Sequence, residues 1–261
     1  MLTLSIEALT QQVNQLFWPA LRVLAIFTTA PVFNESEIPK KVKIGLALLI
    51  TFLISPGLPE IELAIVSLSG LLVMGQQLLI GAAMGLMMQL IFVTVRTAGE
   101  IIGLQIGLSF ATFFDPSGGT NMPVIARILN LLAMLLLLSL NGHLWFLSVL
   151  SDSFVALPVG TQGLNSGAFY YLAHSAGVVF RSGLMLALPI VTLLLAINFS
   201  LGLLNRLTPQ LSIFVVGFPL TLTVGMWALM AGMSTLGPFF ERLLMTMFEH
   251  LGQLLVLLGA D

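Results

Sequence analysis

Cysteine is absent from the chain, which excludes structural disulfides and thiolate metal sites and leaves the redox compartment open. Charge is nearly as scarce: Asp, Glu, Lys and Arg supply 8% of the residues, against about 25% in a soluble domain. With 58% hydrophobic residues and a mean hydropathy of +1.08, the composition indicates a polytopic membrane protein. No Walker A loop, H-E-x-x-H motif, G-x-S-x-G elbow or close carboxylate pair occurs. The histidines, His143, His174 and His250, lie too far apart in sequence to share a metal on one helix. The expectation is therefore a non-enzyme with no cofactor, no metal and no nucleic-acid partner. Met1 to Gln12 lacks a basic n-region and carries Glu7, so a cleaved signal peptide is not expected either.

What the chain does have is apolar sequence broken at a few placed points. Val13 to Pro31 is the first long apolar segment and holds Arg22 near its middle. A central arginine costs roughly 2.5 to 3.5 kcal/mol on insertion scales. Arg22 should therefore either snorkel from a tilted helix or meet a partner carboxylate. Lys40, Lys41 and Lys43 form the one basic cluster and mark the cytoplasmic side. Ile44 to Ile54 is too short to cross a hydrocarbon core of about 30 Å unaided. Ser55 to Pro59 reads as a turn, and the apolar run Ile61 to Val95 is too long for one simple crossing; it either hairpins or projects from the bilayer.

Glycines stripe the next stretch. Gly81 and Gly85 form a G-x-x-x-G pair, and Gly99, Gly103 and Gly107 repeat at i, i+4 and i+8. Residues four apart share a helix face, so these glycines let another backbone approach, from within this chain or from another subunit. Arg96 and Glu100 are spaced to pair with each other. The segment Phe110 to Met122, FATFFDPSGGTNM, then interrupts the apolar sequence. Its backbone cannot face lipid unpaired, so it reaches water or lines a cavity inside protein. Three phenylalanines, Phe110, Phe113 and Phe114, precede the flexible Ser117, Gly118 and Gly119, a content that suits a plug better than a linker.

Pro123 to Leu140 reads as a membrane-grade helix, followed by Asn141, Gly142 and His143; His143 is either a core or interfacial residue or a proton relay. Ser151 to Tyr171 reads as an external loop with part of it a short helix. Arg181 to Leu204 and Leu211 to Met233, each with an internal proline, are joined by the polar turn Asn205, Arg206, Leu207, Thr208, Pro209 and Gln210, and so form an antiparallel hairpin with Arg206 on the cytoplasmic side. Pro238 to Asp261 reads as a separate amphipathic helix, with Leu243, Met247, Leu251, Leu254 and Leu258 on one side and Glu241, Arg242, Glu249, His250 and Gln253 on the other.

Several of these stretches, PVFNESEIPKKVKIGLALL, AGEIIGLQIGLSFATFFDPSGGTNMPVIARILNLL, LNGHLWFL and NRLTPQLSIFVVGFPL, resemble the FliR/SctT family of the type III export apparatus. The resemblance implies an all-α membrane protein of tilted helical hairpins, lifted largely out of the bilayer plane, within a helical hetero-oligomer. It implies one export-gate domain over residues 1–261, FliP-like over residues 1–180 and closed by a FliQ-like hairpin with the C-terminal amphipathic helix over residues 181–261. Implied partners are FliP-type and FliQ-type subunits, FlhB-type and FlhA-type export proteins, flagellar rod components, unfolded export substrates and membrane lipid, in the bacterial inner membrane within the flagellar basal body. The family's pore plug falls on the segment above. Phe110, Phe113 and Phe114 would occlude the channel, Asp115 and Pro116 would set the turn, and Ser117, Gly118, Gly119, Thr120 and Asn121 would let it move aside, with Met122 helping the seal. A virulence injectisome is the nearest alternative. A small-solute secondary transporter coupled through Arg22, Glu100 and His143 is an alternative of another class.

Overall fold

The computed structural model describes residues 6–31, 33, 38–59, 61, 63, 65–108, 122–160, 163–208 and 213–259. Among them are eight α-helices and one 3-10 turn: α1 (Ile6–Thr29), α2 (Lys40–Ile54), the turn Ser55–Gly57, α3 (Leu68–Ile106), α4 (Val124–Ser139), α5 (Gly142–Ala156), α6 (Ser166–Ser175), α7 (Gly177–Leu207) and α8 (Ile213–Leu258). The runs Leu68–Ile106, Ser166–Leu207 and Val216–Leu258 are each long and apolar enough to cross a membrane, and α4 with α5 qualifies as a broken pair. The protein is an all-α membrane protein.

Two compact units share the chain. Residues 1–90, 141–175 and 246–261 make the first; residues 91–140 and 176–245 make the second. The long helices α3 and α8 each contribute to both. Within its best membrane-length window α3 is 61% buried, against 22% for the corresponding windows of Ser166–Leu207 and Val216–Leu258. Each unit is accordingly built on its own half of α3.

Both ends of α3 are written in the sequence. The Ser67 hydroxyl accepts a hydrogen bond from the Gly70 amide at 2.9 Å, an N-cap that satisfies one orphan donor of the first turn. No proline falls between Leu68 and Ile106, and glycine at 107 stops the helix. The run Ile61 to Val95 is thus not a hairpin; from Leu68 on it belongs to one helix longer than a bilayer core. At its start the described residues 61, 63 and 65–67 are non-helical, and Ile61, Leu63 and Ile65, spaced by two, pack against Trp18 of α1 with Val73. Helix begins only past Ser67.

In the first unit α1 packs on α3 through small residues. A Cβ on Gly81 would meet the Arg22 carbonyl and lie 2.8 Å from Ala25, and one on Gly85 would meet the Thr29 side chain and lie 3.0 Å from the Ala30 nitrogen. Met84, Met87 and Met88 fill the core beside them. Helix α2 lies on α1, and the amide of Gln15 reaches the carbonyls of Ser55, Leu58 and Pro59 at 3.4, 3.1 and 3.2 Å, pinning the turn that ends α2. The expected loop Ser151 to Tyr171 is largely helix: α5 runs to Ala156, and α6 starts at Ser166. The Tyr171 hydroxyl bonds to His250 Nδ1 and Gln253 Oε1 of α8.

In the second unit α4 buries Ile125, Ala126, Leu129, Ala133 and Leu137, a stripe at helical spacing. Helix α7 starts at Gly177 rather than Arg181 and continues to Leu207 through Pro189. Helix α8 runs unbroken through Pro219 and Pro238, so the expected separate tail is the end of a 46-residue helix. A proline removes only one ladder bond, and the buried Leu236, Phe240, Leu243 and Leu244 hold the turns around Pro238. The apolar set Leu243, Met247, Leu251, Leu254 and Leu258 is buried, while Glu241, Arg242, Glu249 and Gln253 are exposed.

Candidate functional site

Of the segment Phe110 to Met122, residues 110–121 lie outside the described residues, and Met122 is half-buried. What is described is how the segment is held at its stems. At the first stem the amide of Gly107 bonds to the Leu104 carbonyl and that of Leu108 to the Gly103 carbonyl, at 3.2 and 3.1 Å. Gly107 has φ +94. This is a Schellman stop, with glycine taking the left-handed position that a side chain would strain. Gly107 thus ends the helix and lies against the Phe218 ring.

Other contacts lock that stem. The Thr221 hydroxyl donates to the Ile106 carbonyl at 3.3 Å, and a Cβ on Gly225 would lie 2.5 Å from the Ile106 side chain. At the second stem Pro123 stands at the N-cap of α4 with φ -54 and ψ 144, and its carbonyl accepts from the Arg127 amide at 3.0 Å. The stems also touch each other's helices: a Cβ on Gly99 would lie 2.5 Å from the Ala126 Cα. Both ends of the segment therefore leave from fixed backbone in the second unit.

The other sequence-predicted residues are spread. Gly103 is buried within α3, on the turn that accepts the Schellman bond. Asn205 and Arg206 are exposed on the last turn of α7, where a cation complements the helix dipole, and Pro209 and Gln210 lie outside the described residues. Arg96 and Glu100 form an ion pair at 3.7 Å with both side chains about two-fifths exposed. His143 Nδ1 is buried with no hydrogen-bond partner among the described residues.

Arg22 neither snorkels nor meets a carboxylate. It is fully buried in the first unit. Its Nε donates to Gln77 Oε1 at 2.8 Å, one terminal nitrogen to the Ser153 carbonyl and hydroxyl at 2.8 and 3.0 Å, and the other to the Leu157 carbonyl at 2.7 Å. The guanidinium lies 4.1 Å over the Phe154 ring centre. Ser153 and Leu157 carry end-of-helix carbonyls of α5, which has no basic residue in its own last turn. Arg22 supplies the missing positive cap from across the fold. These partners were missed in the sequence; the one signal was a helix end with no cation or glycine to close it.

A long, glycine-packed helix closed by a Schellman stop, inside a chain of membrane-grade helices, defines an all-α membrane scaffold. The described residues hold no group of three or more His, Asp or Glu placed to bind a metal. The chain belongs to the bacterial export proteins, family 1, which matches residues 13–247. It is 53% identical over 255 residues to the flagellar biosynthetic protein FliR of Escherichia coli, covering 98% of each chain. It is also 53% identical over 261 residues to the FliR of Pectobacterium carotovorum, covering 100% of each. Likeness extends to the FliR of Bacillus subtilis, 28% identical over 244 residues, 92% of this chain and 94% of that one.

Proposed function

We propose that this chain is a structural, pore-forming subunit of the flagellar type III protein export gate, conducting unfolded flagellar proteins across the bacterial inner membrane. The observation that carries the reading is end-to-end similarity at 53% identity to flagellar biosynthetic proteins. A flagellar rather than an injectisome role is favoured because relatives from 53% down to 28% identity are named as flagellar biosynthetic proteins. In this reading the chain works in a hetero-oligomer with FliP-type and FliQ-type subunits, beside FlhB-type and FlhA-type proteins, and opens toward the rod. Its first 180 residues form the FliP-like part and its last hairpin the FliQ-like part.

The segment Phe110 to Met122 closes the pore. Stems fixed at Gly107 and Pro123 support this, because a plug must return to one position after each passage. Phenylalanines give apolar bulk that excludes hydrated ions, and Ser117 to Asn121 gives the slack to move. The test is made on membranes holding the full apparatus. Mild-detergent extraction should bring FliP-type and FliQ-type subunits down with this chain, and deleting residues 117–121, or making F113G/F114G, should leave those membranes leaky to ions. A chain that comes down alone overturns the gate assignment; intact assembly with unchanged conductance overturns the plug.

A further inference from the structure

Helix α2 presents a combination that the export reading does not use. Only Ala47, Ile50 and Thr51 are buried along its 15 residues, the strip that lies on α1. Val42, Ile44, Leu46, Leu48, Leu49, Phe52 and Leu53 are all exposed, Leu53 by 69%. Apolar side chains around most of a helix suit immersion rather than lying flat at an interface, which requires a polar face. Yet 15 residues rise only about 22 Å, short of a hydrocarbon core of about 30 Å. Such a helix enters from one side and stops within the apolar layer.

Its two ends are built for that course. At the far end the chain turns through Ser55–Gly57, and a turn at membrane depth is tolerated only if its carbonyls are satisfied by protein. The two hydrogens of the Gln15 amide are shared among the carbonyls of Leu58, Pro59 and, at 3.4 Å, Ser55, which also accepts from the Leu58 amide at 3.1 Å, and the Ser55 hydroxyl donates back to the Gln15 carbonyl at 3.1 Å. At the near end stand Lys40, Lys41 and Lys43, with Lys40 and Lys41 exposed and no acidic partner to any of the three among the described residues. Cations at the mouth of a buried apolar helix complement the anionic phospholipids of the cytoplasmic leaflet.

We infer that α2 is a half-inserted helix whose three lysines bind anionic phospholipid headgroups while Phe52 and Leu53 sit among acyl chains. The occupant is bilayer lipid rather than another subunit, because the exposed surface carries its charge at one end only, at headgroup level. Attraction worth about fivefold per lysine puts the ceiling for three near a hundredfold, weakening as salt rises.

The full chain in a neutral detergent is titrated with dioleoylphosphatidylglycerol or dioleoylphosphatidylcholine and read by native mass spectrometry. Retention should favour phosphatidylglycerol, and K40Q/K41Q/K43Q should reduce that preference by about tenfold or more. The same chain, carrying a photoreactive benzoylphenylalanine in place of Phe52, is irradiated in cells with the rest of the apparatus present. Adducts to phospholipid are expected. Equal retention of the two lipids, a preference unchanged in the triple variant, or adducts to protein alone each overturn the inference.

Discussion

At the residue scale, Arg22 shows how a costly side chain is made useful. A guanidinium offers its donors in a rigid fork, and here they meet four oxygens from Gln77, Ser153 and Leu157, two of them carbonyls at the end of α5. Removing it strands Gln77 Oε1 and the Leu157 carbonyl in a dry interior, where each unsatisfied group costs about 1 to 3 kcal/mol, while the Ser153 carbonyl keeps the Leu157 amide. Arg22→Met should therefore destabilise the chain by about 3 kcal/mol or more, seen as a lower unfolding temperature in detergent and lower abundance in membranes. Arg22→Lys should recover only part of the loss, because one ammonium cannot span acceptors on both α3 and α5. An R22M variant that melts with the parent chain would show that the network contributes nothing. The sequence made plain that Arg22 needed protein around it. Its partners were hidden because neutral oxygens 55, 131 and 135 positions away leave no charge pattern to read.

At the element scale, α3 separates glycines that pack from glycines that do not. Gly99 has the Ala126 backbone where its Cβ would go, whereas Gly75 has nothing within 4 Å. Gly99→Ala should cost about 1 to 3 kcal/mol as α3 and α4 are forced apart. Gly75→Ala should gain about 0.5 to 1 kcal/mol from helix propensity alone. Urea unfolding of the detergent-solubilised variants compares the two, and equal effects would remove the close-packing account of the stripe. Much of α3 could be read in advance, since Ser67 and Gly107 are strong cap residues and no proline intervenes. The i+8 spacing of Gly107 showed that it continues the stripe, but not the left-handed turn it makes, which depends on where the helix stops. The ends of α7 and α8 were harder, because neighbouring side chains carry a helix through Pro189, Pro219 and Pro238 that local chemistry alone would interrupt. Of the candidate site, the break between apolar runs was visible from composition, but the contacts of Thr221, Phe218 and Gly225 at its first stem come from more than 100 positions away and leave no local trace.

At the scale of the whole molecule, helix length and bilayer thickness do not match. At 1.5 Å per residue, α3 is about 58 Å long and α8 about 69 Å, against a hydrocarbon core of about 30 Å. Tilt within the usual range cannot absorb a twofold excess, so a large part of each helix stands outside the hydrocarbon. The outward faces of Ser166–Leu207 and Val216–Leu258, buried over only 22% of their best windows, must then be covered by lipid for part of their length and by other surfaces for the rest. That division is what a subunit of a larger membrane assembly requires. The absence of cysteine makes the geometry directly measurable. Leu71 and Leu104 are both exposed, at 62% and 59%, and lie about 50 Å apart along α3 by helix rise. Leu71→Cys and Leu104→Cys, each as the sole thiol in a chain expressed without its partner subunits, are treated with a membrane-impermeant maleimide in inside-out and right-side-out vesicles. No placement of a straight helix of this length hides both positions in the hydrocarbon, so at least one should label before the membrane is dissolved. Protection of both thiols in both vesicle types, with full labelling after detergent, would mean that α3 bends or breaks within the bilayer.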